Sequence, residues 1–115
     1  MKLYTTYFDN LNNIDQDITP ISISGNTPIW FNGNIQKKLV PNVSMMSNGK
    51  LKEECKEDYI EQLNSIKVSS LIKSLNKITK SNDIVLVSDE LPDVFSHRKV
   101  LLEWLKRNNV KVEEI

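Results

Sequence analysis

The feature that most constrains the fold of this chain is an uninterrupted aliphatic run, Ile84-Val85-Leu86-Val87. It follows Ser81-Asn82-Asp83, a cluster of residue types that favour turns. Successive side chains of a strand point to opposite faces of its sheet, so a run without polar positions predicts a strand buried on both faces. Such strands are typical of parallel sheets, and we expect Ile84 to Val87 to form a central strand.

An amphipathic helix is expected after this run. Ser96 is a favourable N-cap residue, and Asn108-Asn109 is expected to end the helix. The apolar positions between them recur at helical spacing and are Val100, Leu101, Trp104 and Leu105. Val110 to Val112 then supplies a short last strand. Strand, helix and strand over about 30 residues predict a βαβ unit with a right-handed crossover.

The first half of the chain predicts two further strands and a long loop. Lys2 to Phe8 is rich in β-branched and aromatic residues, and Ile18 to Ser24 predicts a second strand. Pro20 lacks an N–H group and places the start of this strand near a sheet edge. Trp30 to Met46, interrupted by glycine, proline and asparagines, is expected to be a loop, and loops of this length are often functional.

Two helices are expected between residues 51 and 79. The apolar face of the first comprises Leu51, Cys55, Tyr59, Leu63 and Ile66. Ser69 or Ser70 is the expected cap of the second, whose apolar residues are Leu71, Ile72, Leu75 and Ile78. These elements predict an α/β fold in one domain, residues 1–115, with a mainly parallel sheet of about four or five strands and helices on both faces.

Composition excludes several classes of protein. Lys+Arg and Asp+Glu are both 15, so the net charge is zero and a dedicated duplex nucleic-acid-binding protein is not expected. The single cysteine, Cys55, lies on an apolar face and is expected to be a core thiol rather than part of a zinc site or disulfide. There is no long apolar run, so no membrane partner is expected and the cytosol is the expected location. No cofactor is indicated, because the three glycines are dispersed and form no phosphate loop.

The segment between the aliphatic strand and its helix carries the concentrated chemistry. Ser88, Asp89 and Glu90 end the strand, and Ser96-His97-Arg98 open the helix. Ligands of open parallel sheets bind at this edge, where helix N-termini favour anions. Arg98 is expected to hold an anion, with Ser88, Asp89 and Ser96 as further ligand contacts.

His97, the only histidine, suits proton transfer near neutral pH, and Glu90 would bind a ribose-like hydroxyl or orient His97. No metal is assigned to these residues, because their spacing matches no recognised set of metal ligands.

Structural interpretations stand beside these functional ones. In these interpretations, Ser96 is an N-cap and has no further role, and the charged side chains of this segment are solvated. A hydrolase could use Ser88 or Ser96 as its nucleophile, but neither serine lies in a G-x-S-x-G motif. Trp30, with Phe31, either forms an aromatic wall for a base or sugar or packs the loop onto the core. The lysines elsewhere are expected to be solvated: Lys37, Lys38 and Lys67.

Residues of the closing segment resemble the end of the domain-of-unknown-function 488 family. The matching stretches are Val87-Ser88-Asp89-Glu90, Phe95-Ser96-His97-Arg98, Leu102-Glu103-Trp104-Leu105 and Val112-Glu113-Glu114. The N-terminal half is similar to a short, single-domain branch of that family in Met1 to Thr5, Phe8, Ile21 to Ser24, Pro28, Gly33 and Lys38 to Pro41. The resemblance implies a Rossmann-like α/β sandwich from bacteria or their phages.

Three positions depart from the family pattern. Members usually carry cysteine at the positions of Ser88 and Ser96, and many carry arginine where Gly25 stands. The resemblance implies that any chemistry needing both cysteines, as metal ligands, redox partners or nucleophile and helper, is lost. Anion binding by Arg98 and the helix N-terminus would survive.

These observations predict a protein that binds a small phosphate- or nucleotide-like ligand at the junction of strand 84–88 and helix 96–108, with or without weak catalysis. A non-catalytic interaction protein is the alternative, such as a phage factor that binds a host protein or a signalling nucleotide. A hydrolase using Ser88 or Ser96 is the third possibility.

Overall fold

The computed structural model describes residues 1–79 and 82–115. The strands are β1 (Leu3–Tyr7), β2 (Ile18–Ser22), β3 (Asn34–Ile35), β4 (Met46–Ser47), β5 (Lys50–Leu51), β6 (Asp83–Ser88) and β7 (Val112–Glu114). The α-helices are α1 (Lys56–Asn64), α2 (Val68–Thr79) and α3 (His97–Arg107). Ser81, in the expected turn before β6, lies outside the described residues.

Five strands form one sheet in the order β3-β2-β6-β1-β7, and every pair is parallel. β6 is central, and Ile84 to Val87 are all fully buried, which confirms the prediction for this run. Pro20 lies in the part of β2 that pairs only with β6, because β3 pairs with Ile21 and Ser22 alone. The proline therefore occupies a local edge, where a missing N–H group costs no ladder hydrogen bond.

The two faces of the sheet are covered unequally. Ile84 and Leu86 belong to the larger core, which takes in apolar residues from α1, α2 and α3. Leu101, Trp104 and Leu105 of α3 are buried in this core, as predicted. Val85 and Val87 point to the other face.

That second face is covered by a 3-10 helix, Phe8–Asn13, and by Phe31. The expected α/β sandwich with a parallel sheet is thus confirmed, but its α-helices lie on one face and the third layer is thinner than the sequence suggests.

The first predicted helix begins later than its apolar pattern suggests. Leu51 lies in β5, which pairs with β4 as a two-stranded hairpin. Asn48 and Gly49 connect these strands with positive φ angles of 54° and 77°. An Asn-Gly pair favours such two-residue hairpin turns, and this local preference prevails over the helical period. Cys55 ends a short 3-10 helix before α1 and packs, half-buried, against the larger core.

The second helix begins earlier than expected, and the last strand begins later. α2 starts at Val68, so Ser69 and Ser70 lie in its first turn and do not cap it. At the end of α3, Asn109 adopts a positive φ of 61° and the Val110 N–H donates to Leu105 O at 3.0 Å. This Schellman-type ending uses Val110 to close the helix, so β7 begins only at Val112.

Within residues 1–79 and 82–115, no helix has the length and apolar character needed to cross a membrane.

Candidate functional site

The expected site forms at the carboxyl edge of the central strand. β6 ends at Ser88, and α3 begins at His97 after its cap residue. Ser96 is the N-cap, as predicted, because its Oγ accepts a hydrogen bond from the Lys99 N–H at 3.2 Å. This cap directs the first turn of α3 toward the strand end, and Glu90, His97 and Arg98 all become buried there.

Arg98 is fully buried and its guanidinium is bound by protein groups. Its Nε and Nη2 donate to the two carboxylate oxygens of Glu114, at 3.1 and 3.0 Å. Its Nη1 donates to Ser88 Oγ at 2.7 Å and to the Glu90 carbonyl oxygen at 2.9 Å. The planar fork expected to receive a ligand anion therefore receives a carboxylate of the same chain.

Glu114 is the residue that the sequence argument missed. It lies in β7, 16 positions after Arg98, and its side chain is 28% exposed. The Thr5 hydroxyl donates to one of its carboxylate oxygens. Thr5 and Glu114 are register partners in β1 and β7, so sheet pairing brings them together. The acidic ending Glu113-Glu114 was visible in the sequence, but nothing local assigned either carboxylate to Arg98.

Glu90 and His97 form a second buried pair. The His97 Nε2 lies 2.6 Å from the Ile23 carbonyl oxygen, which can only accept, so Nε2 carries a proton. The Nδ1 lies 3.4 Å from Glu90 Oε2, longer than a standard hydrogen bond. The two groups are therefore close together but not hydrogen-bonded to each other.

The surroundings of Glu90 favour the ionised form of its carboxyl group. Burial raises the pKa of its carboxyl, but the neighbouring His97, with smaller contributions from Ser88 and its own backbone N–H, more than offsets this. The net effect lowers the pKa of Glu90 from 4.5 to about 2. The carboxylate is therefore ionised at neutral pH, and neither of its oxygens has a hydrogen-bond partner.

Tyr59 connects this pair to the loop before α1. Its ring meets that of His97 edge-on, with centroids 5.7 Å apart, and its hydroxyl donates to the Leu39 carbonyl oxygen at 2.6 Å. Burial, and then the negative charge of Glu90, raise the pKa of Tyr59 well above its usual value. The tyrosine thus remains a neutral donor and fixes the position of residue 39.

The other residues expected to contact a ligand lie around these two buried pairs, and we call the whole arrangement the network. Asp89 is half-buried and accepts a hydrogen bond from the Ser24 hydroxyl at 2.9 Å, so it is more than a solvated loop charge. Ser88 binds Arg98 and Ser96 caps α3, so the two hydroxyls serve different partners. Neither serine is hydrogen-bonded to His97, as a nucleophile would be to its base.

Trp30 lies apart from the network. It packs edge-on against Phe8 and Phe31, with centroids 5.9 and 6.4 Å apart, on the face of the sheet opposite the α-helices. It is nevertheless 58% exposed. The structure therefore does not bring Trp30 to the Glu90–His97 pair, and its packing against the core is only partial.

A concave feature, which we call the lysine groove, lies elsewhere, beside the start of α2. Its volume is about 510 Å³. It is lined by Gln36, Lys37, Lys38, Asn42, Gln62, Ser65, Ile66, Lys67, Ser70, Leu71 and Ser74. The three lysines are exposed, as expected, but they meet in one groove. Nothing in the sequence indicates this, because residues 37 and 67 belong to different elements.

Neither region is arranged as a metal centre. In the parts of the chain that the structure describes, no three His, Cys, Asp or Glu side chains lie together as metal ligands would. The chain matches no protein-family model, no curated protein and no solved structure in comparisons with each.

Proposed function

We propose that the protein binds a small phosphate-bearing ligand, and that the ligand sits in the lysine groove rather than at the end of β6. The observation that carries this proposal is the charge of the groove. Three lysines line it, and no acidic residue is among the described residues that do so. In a chain with zero net charge, this is a local concentration of positive charge.

The start of α2 adds to this positive field. Ser70 lies in the first turn of α2, where backbone N–H groups have no partner within the helix, and that turn contains no acidic residue. The positive end of the helix dipole therefore lies beside Lys67 without compensation. A phosphate group in the groove would relieve the repulsion among these charges and accept hydrogen bonds from serine and lysine side chains.

The arrangement at the end of β6 supports the same choice. Arg98 is buried and its charge is already balanced by Glu114. An incoming anion there would have to displace that carboxylate. The lysine groove is accessible without such a rearrangement, and its volume lies within the range of small-molecule sites.

The lining also favours a particular ligand chemistry. Apart from Ile66 and Leu71, the described residues that line it are serines, amides and lysines, and none of them is aromatic. Hydroxyl and amide groups suit the hydroxyls of a sugar or polyol, whereas a nucleobase would find no surface on which to stack. A sugar phosphate therefore fits the groove better than a nucleotide.

The test is a binding titration by calorimetry with inorganic pyrophosphate, fructose bisphosphate and ADP. We expect fructose bisphosphate to bind most tightly, and the triple variant Lys37→Gln/Lys38→Gln/Lys67→Gln to bind it at least about tenfold more weakly, since charge-assisted contacts are lost.

The matched control is Lys50→Gln/Lys77→Gln/Lys106→Gln, which removes the same charge from exposed positions outside the groove. Equal weakening by both triple variants would show a nonspecific charge effect and overturn the proposal. The proposal is also overturned if none of the three anions binds in a saturable way.

A further inference from the structure

Trp30 is an exposed aromatic residue with a fixed orientation. Phe8, which is buried, and Phe31 contact its ring at interplanar angles of 88° and 73°. These contacts belong to the core on the second face of the sheet, so the ring is held by the fold rather than by solvent-exposed loop residues alone. The ring is packed against two phenylalanines and is still 58% exposed, so its exposed part can contact a ligand.

Polar side chains lie beside this ring. A depression of about 350 Å³ is lined by Phe8, Asp9, Asn12 and Trp30. Asp9 and Asn12 are both exposed and lie three residues apart in the 3-10 helix Phe8–Asn13. Residues at this spacing in a 3-10 helix project from the same side, so a carboxylate and an amide flank one aromatic ring.

We propose that Trp30, Asp9 and Asn12 form a binding site for a neutral saccharide. The electron-rich face of an aromatic ring attracts the partly positive C–H groups on the flat face of a pyranose. Asp9 accepts hydrogen bonds from sugar hydroxyls, and Asn12 both donates and accepts them. The depression's volume of about 350 Å³ suits one or two sugar units.

Charge determines that the saccharide is neutral. Among the described residues, four line the depression and only Asp9 of these is charged, so its carboxylate repels a phosphate group. The ligand class therefore differs from that proposed for the lysine groove, and the two sites share no lining residue. This inference does not depend on the function proposed for that groove.

Intrinsic fluorescence can test this site directly. The chain has two tryptophans, and the other, Trp104, is 5% exposed and donates a hydrogen bond to Asn64. Iodide quenching of the unmodified chain therefore reports on Trp30. We expect one of maltose, N-acetylglucosamine or galactose to protect Trp30 from iodide in a saturable way, and to shift its emission to shorter wavelength.

Variants separate the parts of the site. Trp30→Ala should abolish the calorimetric signal of the saccharide that binds. Asp9→Ala should weaken binding about tenfold, the usual effect of losing hydrogen bonds to a charged acceptor. Ile29→Ala, at a fully exposed neighbouring position, should leave it unchanged.

The proposal is overturned if none of the three saccharides binds, or if Trp30→Ala binds as tightly as the unmodified chain. It is also overturned if adenosine protects Trp30 and the saccharides do not, since the ring would then be a platform for a base.

Discussion

The guanidinium of Arg98, at the start of α3, and the carboxylate of Glu114, at the end of β7, form a two-pronged ion pair. Its nitrogen–oxygen distances are 3.1 and 3.0 Å. Its Arg98 side is fully buried, and the same guanidinium also contacts Ser88 at the end of β6. One side chain therefore ties together all three elements of the βαβ unit. Arg98, the residue expected to bind a ligand anion, therefore has its guanidinium occupied by contacts within the chain.

Arg98→Ala should destabilise the protein strongly. It leaves the buried Ser88 without its donor and Glu114, which is 28% exposed, without its partner, and breaking a largely buried pair in this way costs about 3 kcal/mol. Arg98→Lys should recover only part of the loss, because an ammonium group cannot reproduce the two-pronged contact. Urea unfolding is the measurement, with the exposed Arg107→Ala as control. A cost below about 0.5 kcal/mol for Arg98→Ala, within the usual range of surface substitutions, would show that the network is not structural.

Glu90 should make the folded state sensitive to acid. Its pKa in the folded protein is about 2, against 4.5 ordinarily, so the folded state favours the ionised form. The stability gained from this is fully present above pH 4.5 and is lost as the pH falls toward 2. The unfolding free energy of the unmodified chain should therefore fall more steeply over this interval than that of Glu90→Gln. Glu113→Gln, at an exposed carboxyl in β7, should retain the steep fall. Parallel pH profiles for the unmodified chain and Glu90→Gln would contradict the burial and pairing of this carboxylate.

Tyr59 should resist ionisation until the protein unfolds. Its pKa is raised by burial and by Glu90, so the folded state keeps the proton and stability falls as the pH rises above 10.0, the ordinary value for tyrosine. In an ultraviolet titration, the tyrosinate absorbance of Tyr59 should appear only together with loss of helical circular dichroism, and Tyr59→Phe should lack this late step. Complete tyrosinate absorbance before any loss of the helical signal would refute the prediction.

We expect Gln62 to contribute both to the stability of the fold and to the shape of the lysine groove. Its amide donates to the carbonyl oxygens of Lys38 and Val40, at 3.2 and 2.8 Å, and accepts from the Asn42 N–H at 3.0 Å. Gln62→Ala removes all three contacts and should cost about 1–3 kcal/mol of unfolding free energy. It should also weaken anion binding, because the segment that carries Lys37 and Lys38 would no longer be held against α1, where it lines the groove. Glu61→Ala, at the exposed neighbouring position of α1, should do neither. Unchanged anion affinity in Gln62→Ala would remove this segment from the groove.

Several parts of the fold could be predicted because they depend on neighbouring residues. The aliphatic run in β6 required burial on both faces, and the spacing of Leu101, Trp104 and Leu105 fixed the buried side of α3. The Ser96 cap is equally local. Where prediction failed, another local preference was stronger: the Asn48-Gly49 turn placed Leu51 in a hairpin, and the Asn109 conformation displaced the last strand.

The sequence by itself determined the central strand, its capped helix and the position of a polar cluster between them, because these follow from periodicity and capping over a few residues. Only the tertiary structure decided how the charges of that cluster are used. The partner of Arg98 lies in a later strand, and the partner of His97 Nε2 is the carbonyl of Ile23, 74 positions away. The lysine groove likewise exists only because the segment before α1 packs beside the start of α2. Such pairings depend on which elements meet in space, and the chain does not encode them at any one point along its length.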